Sequence, residues 1–206
     1  MPSSCLPIIR EYNKDDEKGW VHCRVLAFLD SAYYDDVYRA KEHYDSPSIE
    51  FVAEADGKVV GLIDIECENE PHTICSSISD GRKSRLAGMI WHLAVHPDFR
   101  RQGIARLLLL QAVEESRRLG LSRLEAWTRD DDRAEKWYQS QGFQRVESYY
   151  HIYIDSNEIA PEIVNAMIPG MNLMSAFAHY SGDDTSILNQ FKRVYRCSRY
   201  DLVIES

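Results

Sequence analysis

The chain has 206 residues, with 33 acidic against 24 basic side chains and a formal net charge of -9. That excess of negative charge argues against general binding to nucleic acid or to anionic membrane surfaces, and is mildly compatible with a cationic acceptor. Hydrophobic residues make up 44% and charged residues 28%, which suits a soluble domain with a real core, and no apolar run approaches the roughly 20 residues of a membrane span.

The length favours one domain over residues 1–206. The N-terminal stretch MPSSCLPIIREYN lacks the basic, apolar and cleavage regions of a signal peptide. The five cysteines (Cys5, Cys23, Cys67, Cys75 and Cys197) are scattered and contain no C-x-x-C, so they read as reduced thiols in a cytoplasmic protein.

In chain order, Leu6–Tyr12 reads as a short strand. Asp15 and Asp16 suit a helix start, and Trp20, Val21, Val25 and Phe28 then follow helical spacing. A second helix is expected over about Ala32–His43, broken by Ser46-Pro47-Ser48. Glu50–Ala55 and Lys58–Glu66 flank Asp56-Gly57, a strong hairpin signal. In the second of these strands Asp64 and Glu66 share a face, most simply a solvent-facing one. Asn69–Leu86 is polar and reads as an exposed, mobile loop.

A hydrophobic strand, Met89–Val95, is followed by a turn with paired arginines and a glycine, then by a helix over about 102–119. Ile104, Leu107, Leu108 and Ala112 are its expected buried stripe, and Gly120 its stop. A helix start offers unpaired N–H groups and the positive end of a dipole, so this turn suits a phosphate. Gly103 permits close approach, and Arg100, Arg101 and Arg106 add charge. Arg123–Thr128 reads as a strand, Asp131–Gln141 as a short helix ended by Gly142, and Phe143–Ile154 as a long strand. Ile159–Val164 and Ser186–Val194 look helical, and Cys197–Ile204 is a candidate last strand. Alternating strands and helices imply an α/β (α+β) mixed sheet covered by helices.

Two motifs carry a family resemblance. Leu93-Ala94-Val95-His96-Pro97 followed by Arg100-Arg101-Gln102-Gly103-Ile104-Ala105 resembles the acyl-CoA loop of the GCN5-related N-acetyltransferases (GNAT family). Ala134-x-x-x-Tyr138-x-x-x-Gly142-Phe143 resembles that family's second motif, with Asp131 where the pattern has asparagine. The resemblance covers about residues 7–154 and the strand at 197–204, and leaves 155–196 as an insertion. It implies the GNAT fold and acetyl-CoA as co-substrate, with an amine-bearing acceptor as the second partner. Leu93, Ala94 and Val95 would hold pantetheine, though they are also good core formers. Arg100, Arg101, Gln102, Gly103, Ile104, Ala105 and Arg106 would hold the pyrophosphate, and Asp131 would lie against the cofactor. Tyr138 would be the general acid, since a phenol with a pKa of about 10 can protonate a departing thiolate.

The base is less legible. The positions where family members carry one are Met89 and Trp91, neither of which accepts a proton, and His92 is one residue out of phase. Tyr33, Tyr34, Tyr38, Tyr149, Tyr150 and Tyr153 border the acceptor side and would form an aromatic wall. No histidine or cysteine set has zinc spacing, so no metal is expected. The late strand and the 155–196 insertion are candidate homodimer contacts. The alternative to an enzyme is a non-catalytic acyl-CoA-binding sensor or partner-binding module.

Overall fold

The structure, a computed structural model, describes residues 7–76, 85–160, 168 and 170–205. An eight-stranded sheet carries the fold. Its strands are β1 (Ile8–Glu11), β2 (Ser48–Ala55), β3 (Lys58–Cys67), β4 (Ala87–Val95), β5 (Arg123–Arg129), β6 (Gln144–Asp155), β7 (Ser175–Tyr180) and β8 (Arg193–Val203). The spatial order is β1-β2-β3-β4-β5-β8-β6-β7. Every pairing is antiparallel except β4 with β5, which are joined by a helical crossover as a parallel pair requires. Helix α1 spans Glu17–Phe28, α2 Ile104–Arg118 and α3 Asp132–Ser140.

Both ends of the first hairpin follow from its turn. Asp56 and Gly57 both take positive φ, 50° and 71°, which matches a two-residue turn that keeps the strand twist. Helix α1 packs Trp20, Cys23 and Ala27 on Val52, Leu62 and Ala94. The opposite face holds the larger core, where α2 and α3 cover the sheet through residues such as Ile104, Leu108, Tyr138 and Phe143. The buried stripe of α2 is Ile104, Leu108, Leu109, Ala112, Val113 and Ser116. Leu107, expected inside, is 40% exposed because the stripe runs through Leu108 and Leu109 instead.

Several expectations are corrected. No helix forms over 32–43; residues 29–47 run as turns and extended loop. Tertiary bonds hold them in that form. The Arg24 guanidinium donates to the Asp36 carbonyl at 2.7 Å, the Tyr33 hydroxyl accepts from the Arg129 N–H at 2.9 Å, and Lys41 Nζ sits 3.2 Å from Asp64. Asp64 is fully buried rather than solvent-facing; burial pushes its carboxyl up to about 6 against the pull of Lys41 and His92.

The expected exposed loop after β3 is anchored where it is described. Cys75 is buried, Glu68 accepts from the Ile74 and Cys75 N–H groups, and Ser76 is bonded to Glu125. Residues 77–84 lie outside the described residues, as does most of the expected helix at 159–164. The expected helix at 186–194 is a 3-10 turn, Thr185–Gln190, followed directly by β8 from Arg193. Strand β7 was not expected; it pairs with β6 from Tyr150↔Tyr180 to Asp155↔Ser175 and extends the sheet.

A candidate active site between β4 and β5

The site begins with an irregularity in one strand. Ile65 pairs with Ile90 and Asp64 with His92, so Trp91 is an extra residue, a bulge in β4. The pairing of β4 with β5 ends at the same place, at Ile90↔Ala126. Beyond it the two strands part, and Trp91–Val95 presents an edge that β5 does not cover. The His96 N–H donates to the Val60 carbonyl across β3, so by strand alternation the N–H groups of Val95 and Leu93 face the gap.

A cleft of about 700 Å³ opens through this gap. Leu93, Ala94, Val95, Arg100, Asp131 and Tyr138 all line it. Tyr138 belongs to the α2–α3 face of the sheet, whereas Arg24, Tyr38 and Ala94 belong to the α1 face, so the cleft passes from one face to the other.

The turn after β4 leaves a helix start uncapped, a geometry that suits an anion. Arg101 and Gly103 both take positive φ, 64° and 80°, and α2 starts at Gly103 with no side chain capping it. Among the described residues nothing accepts a hydrogen bond from the N–H groups of residues 101–106. A Cβ on Gly103 would meet no atom within 4 Å, so the space in front of this helix start is open. Gln102, Ile104 and Ala105 supply backbone here: Gln102 is exposed, and Ile104 is buried in the core as the turn's anchor. Arg101 and Arg106 are exposed, have no carboxylate partner among the described residues, and do not line the cleft. Arg100 is turned elsewhere: its guanidinium caps the end of α1 through the Ala27 carbonyl at 2.8 Å and lies 3.7 Å from Asp30.

Helix α3 is placed by Asp131, whose carboxylate accepts from the N–H groups of Arg133 and Ala134 at 2.9 and 3.3 Å. That is the work an N-cap asparagine or aspartate does equally well. Tyr138 then points inward, stacked on Tyr200 at 5.7 Å and edge-on to Phe143 and Trp137. Its hydroxyl makes no hydrogen bond to a described residue. Burial raises its pKa well above the usual phenol value, with a smaller contribution from Tyr33, so it holds its proton at neutral pH.

His92 was expected to face away, but the β4 bulge brings its ring into the cleft wall. Arg24 Nε donates to His92 Nδ1 at 3.3 Å, which leaves the proton on Nε2, directed at Glu42 2.7 Å away. Both ring nitrogens are therefore occupied, and His92 is a strut rather than a free base. The hydrogen bond from His92, aided by Tyr38, holds the Glu42 carboxyl below the usual carboxylate range. Of the expected aromatic wall, Tyr33, Tyr38 and Tyr149 line the cleft and Tyr34, Tyr150 and Tyr153 do not. The far wall adds Trp127 and His151, the latter lowered to about 4 by burial and by Arg129 and His179. Glu42 and Arg129 escaped sequence reading because both are brought to the cleft by long-range contacts; neither lies in a motif.

Residues 8–143 match the model of the Acetyltransferase (GNAT) family. Solved structures of similar fold include the ribosomal-protein-S18-alanine N-acetyltransferase of Escherichia coli, 14% identical over 98% of this chain and 96% of that one, with a TM-score of 0.54. An N-acetyltransferase of Staphylococcus aureus Mu50 is 15% identical over 98% and 100%, with a TM-score of 0.58. Arabidopsis thaliana NAA60, solved in complex with acetyl-CoA, is 12% identical over 97% and 99%, with a TM-score of 0.56. No curated protein matches the chain.

Proposed function

The chain belongs to the GNAT acetyltransferase family, and from that premise we propose that it moves an acetyl group from acetyl-CoA to a primary amine by direct attack. The observation that carries the reading is the gap between β4 and β5 with the buried Tyr138 in the wall of its cleft; the uncapped start of α2, eight residues after β4 ends, supports it.

The pantetheine arm would lie along Leu93–Val95 like an added strand, taking the N–H groups that face the gap. The diphosphate would sit on the N–H groups of Gln102–Arg106, with Arg101 and Arg106 as counter-charges. The Val95 N–H would polarise the thioester carbonyl. The amine nitrogen bonds to the carbonyl carbon, the C–S bond breaks, and the thiolate leaves with the proton of Tyr138, which regains it from the amine side through solvent. Glycine at 103 and the open space before it support a phosphate there. Four described cysteines are buried and unpaired, which supports a cytoplasmic setting. Among the described residues no helix is long and apolar enough to cross a membrane.

The test is release of the CoA thiol, followed spectroscopically with acetyl-CoA and a set of primary amines. The expected result is release that depends on the amine, saturates with it, and yields an acetylated product by mass. Acetyl-CoA binding without release for any amine would favour a sensor over an enzyme.

A further inference from the structure

The charges of the cleft wall pair off almost completely. Asp36 faces Arg24 at 3.1 Å, Asp30 faces Arg100 at 3.7 Å, Glu125 faces Arg123 at 2.7 Å, and Asp131 faces Arg133 at 4.0 Å. Two are left. Glu42, with a side chain 41% exposed, is hydrogen-bonded to His92 and Tyr38 and faces no lysine or arginine among the described residues; the nearby Arg24 lends it some field but is committed to Asp36 and to the faces of Phe28 and Tyr38. Arg129 has no carboxylate partner among the described residues. It rests on the Tyr33 ring at 4.5 Å, gives Nη1 to the Ala32 carbonyl at 3.3 Å, and keeps a buried Nε with no acceptor. The guanidinium therefore has no anion of its own among the described residues, although it lines the cleft.

These two residues sit on opposite lips of the gap. Glu42 is bonded to His92 on β4, just past the bulge, and Arg129 ends β5 after that strand has parted from β4. Glu42 lies in the loop that follows α1, and Arg129 is bonded to that loop through the Ala32 carbonyl. Tyr38, Trp91, Trp127 and Tyr149 line the same cleft.

Resting on the acetyltransferase reading, we propose that the acceptor is an amino acid: its amine is received by Glu42 and its carboxylate by Arg129, with the aromatic residues taking an apolar side chain. A guanidinium on a carboxylate gives charge-assisted, paired hydrogen bonds, and an ionised carboxylate is the partner an ammonium needs before it is deprotonated.

The experiment measures kcat/KM with acetyl-CoA for phenylalanine, leucine and 4-aminobutyrate, each beside its carboxamide. At least one acid is expected to exceed its amide tenfold or more. In Arg129→Gln that ratio falls toward one, in Arg129→Lys part of it survives, and Glu42→Gln raises KM for acid and amide together. Melting and acetyl-CoA titration of each variant report folding and the donor site. Amides equal to or better than all the acids, a ratio that survives Arg129→Gln, or no turnover of either class by native protein that binds acetyl-CoA would each overturn the proposal. Failure to bind acetyl-CoA would instead overturn the acetyltransferase reading on which it rests.

Discussion

Replacing Tyr138 by phenylalanine is expected to lower kcat for acetyl transfer by about 100-fold or more, with acetyl-CoA affinity close to native. The reasoning starts from packing. The ring is held by Tyr200, Phe143 and Trp137, and phenylalanine keeps all three contacts. The hydroxyl has no hydrogen-bond partner among the described residues, so its loss leaves no orphaned group behind. What is removed is the proton that burial keeps on the phenol. Single-turnover and steady-state rates, with binding measured separately, separate the two effects. An unchanged kcat would mean that another group or solvent protonates the thiolate.

The largest expected effect on stability is at Glu125. The residue is fully buried on β5, where it accepts from Arg123 at 2.7 Å, Trp127 at 2.8 Å and Ser76 at 2.9 and 3.0 Å, and lies 3.3 Å from Arg199. Burial acts to raise its pKa, but the hydrogen bonds from Arg123 and Trp127 and the charge of Arg199 more than offset that and hold it low. Removing one member of such a network leaves buried cations with less compensation, which costs about 3–5 kcal/mol. Glu125→Ala is therefore expected to lower Tm by roughly 10 °C. It also releases Ser76, which lines the cleft beside Glu125, so KM for the amine should rise. A melting point within a degree or two of native would show that Arg199 and Arg123 are served adequately by Asp201.

The turn proposed to hold the donor phosphate is legible in the chain because its demands are local. A phosphate at a helix start needs a glycine with freedom in φ, and Gly103 at 80° and the hairpin turn Asp56-Gly57 both announce themselves by residue type. The wall proposed for the acceptor was not legible, because nothing local determines it. The bulge at Trp91 shifts His92 into the cleft wall, and a bulge leaves no mark in a run such as Met89–Val95. Tyrosines and aspartates at 33–38 fit a weak helical pattern, but Arg24, Arg129 and Asp64 hold the segment as a loop from distant positions in the chain. Asp64 reads as a surface residue until Lys41 arrives to face it. Strand β7 is short, with Phe177 half exposed, and only its pairing with β6 defines it.

Calorimetric titration with acetyl-CoA, on the native chain and on the double variant Arg101→Ala with Gly103→Asp, tests the central claim most directly. Position 103 has room for a side chain, so the protein should stay folded at a backbone cost of about 1–2 kcal/mol for a non-glycine residue at positive φ. The aspartate would place a negative charge where the diphosphate is to bind. The account predicts native binding on the order of micromolar, reduced about 100-fold or more in the double variant. Native protein that takes up no acetyl-CoA, or a double variant that binds it as well as the native chain, would contradict it.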